Sequence, residues 1–285
     1  MIFGEKGRNM KLKTYMIYLY NRALKYFIRL KILDNDGSIN EMINTTKSLV
    51  RYGDGEMSII LGGYINFQKY DKELSCRLKE ILVSNDSNIM IGIPKAIVDT
   101  SDYNQEAKKF WKQNMDTGRM HWKKLCDSNK EYCNASMTRL FRDYEDKNNS
   151  IIWFEKFKLI WDKKSILLIE GEDSKLGVGN DLFNNAKSLQ RIIAPSNDAY
   201  DKYYEILNSI KDNCNNKLVL ISLGPTATVL AYDLSKLGIR ALDIGHIQLE
   251  YNEFCDYYKG KITNVKQDDK VLLYEEYKRQ IILKI

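Results

Sequence analysis

The chain has 285 residues, 44% of them hydrophobic, and a formal net charge of +6; this fits one large α/β domain or two small ones, and no stretch approaches the roughly 18 uninterrupted apolar residues of a membrane span. Lysines alternate with acidic residues, so the mild positive balance suits an anionic substrate or membrane surface and offers no nucleic-acid stripe. The five cysteines, odd in number and without a Cys-x-x-Cys pair, argue against a disulfide framework or thiolate zinc and for a reducing cytoplasm, and the two histidines (His121, His246) leave any metal site mainly to oxygen ligands.

Residues 10–33 mix lysine and arginine with Tyr15, Tyr18, Tyr20, Tyr26 and Phe27. They lack the apolar centre and cleavage site of a signal peptide. They suit a basic, aromatic helix that lies on a membrane surface, packs on its own domain or contacts a partner. Residues 1–39 are read as an N-terminal helical extension and 40–285 as a single α/β domain.

Strands are predicted over 48–52, 88–93, 165–169, 190–194, 217–223 and 240–244. Helices are predicted over 71–83, 104–113, 151–161, 198–210 and 226–237, the last stopped by Gly238. Runs such as Ile166-Leu167-Leu168-Ile169 do not alternate, which marks strands buried on both faces. The expected fold is Rossmann-like: a doubly wound, mostly parallel sheet flanked by helices, with ligands at the carboxyl ends of its strands. Residues 111–149 are aromatic, polar and irregular in sequence and read as an inserted helical flap over the site.

Four strand ends carry candidate chemistry. The first is Arg51-Tyr52-Gly53-Asp54-Gly55-Glu56, where two carboxylates one residue apart sit on a glycine-flanked turn. Asp54 and Glu56 can hold a hard divalent cation and leave positions for phosphate oxygens; a plain Asp-Gly turn is the competing reading. The second is the loop Gly177-Val178-Gly179-Asn180-Asp181, a weak phosphate-loop pattern that lies late after its strand, in which Asn180 and Asp181 also suit the cap of a helix beginning near Leu182. The third is Gly224-Pro225-Thr226, a tight turn into a helix whose free N–H groups suit a diphosphate or are simply capped. The fourth is Gly245-His246 with Glu250 four residues on; either side chain could take a proton from an acceptor hydroxyl, and a lone histidine is as readily structural. In a doubly wound fold these loops can converge on one crevice.

With these motifs, together with Leu223-Gly224-Pro225-Thr226-Ala227 and Asp243-Ile244-Gly245-His246, the chain resembles the bacterial glycosyltransferases of the GT-D fold over roughly residues 40–275. These are found in streptococcal and lactobacillal adhesin-glycosylation and surface-polysaccharide systems. The resemblance implies a Mn²⁺- or Mg²⁺-dependent transferase that moves a hexose from a nucleotide sugar, a UDP-hexose, to a protein- or lipid-linked glycan. It assigns metal and diphosphate to Asp54 and Glu56, which match the family's Asp-x-Glu motif. Beside it, the residue reading gives Arg51, Gly53, Gly177, Gly179, Asn180, Asp181, Gly224, Pro225 and Thr226 to the nucleotide sugar and His246 or Glu250 to the acceptor. Arg51 or Lys95 could add charge to the leaving group, and Tyr64, Trp111, Trp122 and Trp153 could stack on rings or pack in the core. A cytoplasmic protein is expected, with a peripheral contact at the inner face of the plasma membrane through residues 1–33. The same ingredients also serve a metal-dependent nucleotide or phosphoester hydrolase, or a non-catalytic nucleotide-sugar-binding module.

Overall fold

The computed structural model of the chain describes residues 2–258 and 269–285, with side chains described for 12–258 and 275–285. In chain order its strands are β1 (Lys31–Ile32), β2 (Ser48–Arg51), β3 (Ile89–Ile93), β4 (Glu131–Asn134), β5 (Ser165–Gly171), β6 (Ser188–Ala194), β7 (Leu218–Ser222), β8 (Ala241–Asp243) and β9 (Ile281–Lys284). All six predicted strands form, within two residues at each end. Among the described residues the sheet runs β1-β4-β3-β2-β8-β7-β5-β6-β9, and every neighbouring pair is parallel.

Continuous apolar runs bury both faces of the sheet. On β5, Leu167 and Ile169 enter one core and Ile166 and Leu168 the other; β7 divides the same way, with Val219 and Ile221 against Leu218 and Leu220. The first core is closed by α3 (Asp54–Ile60), α4 (Lys72–Leu82), α5 (Gln105–Leu125), α7 (Tyr203–Asn213) and α8 (Pro225–Lys236). The second is closed by α2 (Asn35–Asn44), α6 (Asn149–Lys158) and α9 (Ile247–Tyr257). Local chemistry sets the helix ends. Asp71 Oδ1 accepts the Leu74 N–H at 2.8 Å and Asn104 Oδ1 the Ala107 N–H at 2.9 Å, so both residues predicted inside helices are N-caps. Gly238, at φ +76°, closes α8 with the paired carbonyl bonds of a Schellman motif, Gly238 N–H to Ser235 and Ile239 N–H to Leu234.

Three expectations change. Residues 111–149 do not form an inserted flap: α5 continues to Leu125 and β4 joins the sheet, so the irregular parts are the 126–130 link and most of the segment after β4. Residues 182–187 form turns, and no helix begins at Leu182. The 39/40 boundary falls inside α2. The segment before it is tied to the domain: α1 (Ile2–Leu24) packs on α5, and buried Asn21 donates to Thr117 O at 3.1 Å and accepts from Met120 N–H at 2.6 Å. The Asn21 carbonyl in turn accepts from Arg119 Nη1 at 2.8 Å.

Helix placement fixes where a ligand can sit. The chain leaves β2 toward α3 and α4 on one face and leaves β8 toward α9 on the other. These neighbouring strands therefore open a crevice at their carboxyl ends, the switch-point position that binds ligands in doubly wound sheets.

Candidate active site

Arg51, the last residue of β2, organises the crevice. Its Nε donates to Asp243 O and its Nη2 to Asp243 Oδ1, both at 2.9 Å, which joins β2 to the end of β8. Nη1 donates to Ala135 O at 3.2 Å and Thr138 Oγ1 at 2.8 Å, just beyond β4. The Arg51 carbonyl accepts from Thr228 Oγ1 on α8 at 2.9 Å. Four of the five guanidinium N–H groups therefore meet protein acceptors, so Arg51 is chiefly a strut of the crevice floor. Gly245 is required beside it: at φ +49°, a Cβ here would lie 1.9 Å from Arg51 Nη2.

The carboxylate turn stands on this strut. Gly53 is the N-cap of α3, and Glu56 reaches back to accept the Gly53 N–H at 2.7 Å. Asp54 is exposed at the first helical position, and Arg139, forked onto Asp143 by two 2.9 Å bonds, lies within electrostatic reach of it. Desolvation, with the nearby charge of Asp243 adding to it, pushes the Glu56 carboxyl up to about 7 against its backbone hydrogen bonds. No three His, Cys, Asp or Glu side chains among the described residues are grouped to cage a metal. Two adjacent carboxylates still fit a hard cation, which is commonly held by one or two carboxylates with substrate phosphates completing its shell.

The β7–α8 turn lies against the same crevice. Gly224 has φ +52°, and a Cβ there would meet Phe67 at 2.5 Å. The Phe67 ring in turn meets His246 edge-on at 6.2 Å between centroids. Helix-start donors are fewer than the sequence implies: Pro225 has no N–H, and the Ala227 N–H is occupied by Gly224 O at 2.9 Å. Thr226 is fully buried, and its hydroxyl has no partner among the described residues. His246, the N-cap of α9, is exposed. Desolvation and the neighbouring cations Arg51 and Arg139 hold its pKa below the usual histidine value.

The structure does not bring the other named residues to this crevice as expected. Glu250 is 1% exposed, and its Oε2 accepts the N–H groups of Phe141 (3.1 Å) and Arg142 (2.9 Å). It turns inward from His246 and pins the segment that carries Arg139. The Gly177–Asp181 loop docks on α9 instead of opening to an anion. The Gly177 N–H meets Gln248 Oε1, Asn180 Nδ2 donates to Asn252 Oδ1 at 2.8 Å, and Asp181 accepts from Tyr251 OH at 2.6 Å and Lys158 Nζ at 2.9 Å. Gly179, at φ +79°, has nothing within 4 Å of a built Cβ. Beneath the loop lies the buried pair Glu170–Arg191. Phe67 and Arg139 escaped the sequence reading, because only long-range packing brings them to the crevice.

Comparisons with known proteins agree with this geometry. The family model "Glycosyltransferase GT-D fold" matches residues 49–271. A Streptococcus gordonii protein described as a probable glycosyl transferase Gly is 40% identical over 227 residues, 79% of this chain and 33% of that protein. Glycosyltransferase GlyD of Streptococcus pneumoniae serotype 4 is 35% identical over 260 residues, 88% of this chain and 32% of that protein. The chain thus spans about a third of the length of these curated relatives. Among solved structures, one described as the highly conserved domain of unknown function 1792 with a distinct glycosyltransferase fold superposes at TM-score 0.84. It is 32% identical and covers 93% of this chain and 99% of its own. A glycosyltransferase (DUF1792) from Streptococcus sanguinis superposes at 0.80 with 34% identity, covering 90% of this chain and 99% of its own.

The raised Glu56 carboxyl makes a pH prediction for metal-free protein. Between the ordinary value of 4.5 and about 7 the folded state holds a proton that the unfolded chain has lost. Relative to Glu56→Gln, wild type should therefore lose stability as pH rises through that window. Paired denaturant titrations at several pH values measure this, and parallel curves for the two proteins would place the titration elsewhere.

Proposed function

This chain belongs to the glycosyltransferases of the GT-D fold, and from that premise we propose that it transfers a hexose from a nucleotide sugar, a UDP-hexose, to a protein- or lipid-linked glycan in surface-polysaccharide or glycoprotein biosynthesis. The observation that carries the reading is the position of Asp54 and Glu56: two carboxylates at a switch-point crevice, with no third protein ligand gathered beside them among the described residues. Such a donor set is completed by a diphosphate. Mn²⁺ or Mg²⁺ held there would supply Lewis-acid neutralisation of the leaving diphosphate.

The protein's own groups divide the remaining work. Arg51 and Asp243 fix the relation of β2 to β8, so the carboxylate turn and His246 face one space. Gly53 and Gly224 let the backbone pass close to the phosphates, with Pro225 and Thr226 forming the wall behind them. His246, kept neutral by its surroundings, accepts the proton of the attacking hydroxyl at an imidazole nitrogen. Glu250 acts as a positioning residue through Phe141 and Arg142, and Gly177, Gly179, Asn180 and Asp181 act by holding α9, which His246 caps.

The test is a panel of UDP-sugars read by release of free UDP. Asp54→Asn, which leaves the helix cap intact, should cost more than the roughly 10- to 100-fold typical of an outer-shell change at a metal site. It should also weaken UDP affinity in the presence of Mn²⁺ and leave stability unchanged. His246→Ala should cost roughly 10²- to 10⁴-fold in transfer with UDP affinity intact. Wild-type activity and metal response in Asp54→Asn would remove the assignment, and cleavage of nucleotides lacking a sugar would turn the reading toward a phosphohydrolase.

We also propose that α1 meets the anionic inner face of the plasma membrane. Leu12, Tyr15, Met16 and Leu19 recur at helical spacing, and all are exposed, with Lys13 and Arg22 on the same helix. Among the described residues no helix is long and apolar enough to cross a membrane. The double variant Leu12→Ser/Met16→Ser keeps Asn21 and so should stay folded, yet lose co-sedimentation with phosphatidylglycerol vesicles. Equal co-sedimentation of the variant and wild type would refute the contact.

A further inference from the structure

The side chain of Asn35, the first residue of α2, is buried, with the residue only 3% exposed, and its Nδ2 has no hydrogen-bond partner among the described residues. Its Oδ1 is held by Asn134 Nδ2 at 2.9 Å and Tyr144 OH at 3.1 Å. A buried amide donor without an acceptor is costly and calls for one. Asn35, Asn134 and Tyr144 all line a cavity of about 390 Å³, within the roughly 300–1,000 Å³ range of small-ligand pockets. The cavity lies at the carboxyl ends of β1, β3 and β4, the same end of the sheet as the crevice. The two spaces are neighbours: Asn134 lines the cavity, and the next residue, Ala135, accepts from Arg51.

The lining chemistry selects among ligands. The indole of Trp153 contributes an aromatic surface, braced edge-on by Tyr144 at 4.8 Å between centroids. Asp34, Asp36, Asp102, Glu145 and Asp146 face the space with one cation, Lys95. Asp34 is engaged as the cap of α2 and Asp36 by Lys156, and Lys95 reaches Asp102 at 3.4 Å. An excess of carboxylates repels a nucleotide diphosphate. Carboxylate acceptors, an amide donor and an indole face together suit a neutral polyol with an apolar C–H side.

We propose that this cavity is the acceptor subsite and holds a neutral pyranose of the acceptor glycan, with Asn35 Nδ2 donating to a sugar oxygen, the rim carboxylates accepting hydroxyls and Trp153 covering a C–H face. The proposal rests on the glycosyltransferase reading and adds to it the side of the crevice from which the acceptor enters.

The test follows the Trp153 indole N–H resonance, assigned by its absence in Trp153→Ala, in full-length ¹⁵N-labelled protein. The probes are methyl glycosides of glucose, galactose and N-acetylglucosamine, added with and without UDP and Mn²⁺. At least one glycoside should shift the resonance with roughly millimolar affinity, the scale for a dozen-atom ligand of modest efficiency. UDP should neither shift it nor compete. Trp153→Ala, in which the indole reporter is gone and binding is read from the glycoside's own resonances by saturation-transfer difference, should weaken that glycoside about tenfold, on the scale of an aromatic contact, with UDP binding unchanged. Should that variant misfold, Asn149→Trp, which fills the cavity mouth from an exposed position, should abolish the shift. Absence of a response to every glycoside, displacement by UDP, or undiminished binding in Asn149→Trp would each overturn the proposal. UDP–Mn²⁺ binding in the same samples reads the donor side separately: if it fails while a glycoside still binds, the sugar subsite stands and the donor assignment falls.

Discussion

The crevice depends on one ion pair. Arg51 and Asp243 lie at the ends of adjacent parallel strands, and their side chains are 17% and 4% exposed. Few single residues could join four segments as Arg51 does, because the guanidinium offers a fixed fork of donors where lysine has a single ammonium. Its bonds reach β8, the segment after β4 and, through its carbonyl, α8. A buried charge pair is costly to break one-sidedly, by roughly 3–5 kcal/mol, because the survivor is left uncompensated. Selection of arginine here, and of glycine at 245 where a Cβ would strike it, is thus explained by architecture before any contact with substrate.

That constraint sorts the functional groups. Asp54 and Glu56 stand one turn beyond Arg51, so the strut fixes where their carboxylates face. His246 follows Gly245, so the same strut fixes the start of α9. Glu250 and the Gly177–Asp181 loop secure α9 from its flanks. The polar residues near the crevice therefore divide into an inner set, in which Asp54 and His246 are exposed and Glu56 also holds the Gly53 N–H, and an outer set that holds the inner one in place.

Much of this was legible in the sequence for physical reasons. Strands β2, β3, β5, β6, β7 and β8 carry apolar runs because both faces of a parallel sheet are buried. Strands β1, β4 and β9 escaped: they are two to four residues long, and β4 reads Glu131-Tyr132-Cys133-Asn134, with no apolar run. Helix α5 was cut short at 113 because Asn114, Asp116, Thr117 and Gly118, all weak helix formers, follow, and beyond them Arg119 stands on the buried face set by Trp111, Met115 and Trp122. That arginine is buried through bonds to Ile97 O and Asn21 O that no local pattern reveals. The Asp-x-Glu turn was readable because its signal is local. Glu250 misled for the complementary reason: four-residue spacing places it near His246 along the helix but cannot say that its oxygen is occupied by the backbone of residues 141 and 142. Phe67, Arg139 and the Asn35 cavity depend on contacts across the chain.

Fold and family now stand together: a parallel sheet with a switch-point crevice, in a chain that belongs to the GT-D-fold glycosyltransferases. The central claim is that the turn after β2 binds metal and diphosphate jointly. The most direct measurement is an anomalous-scattering map from crystals grown with UDP and Mn²⁺. The account predicts a manganese peak within roughly 2.0–2.6 Å of carboxylate oxygens of Asp54 and Glu56, the range for hard divalent cations, with UDP phosphate oxygens in the same shell. Ordered UDP with its phosphates away from both carboxylates, or a manganese peak bound elsewhere, would contradict it.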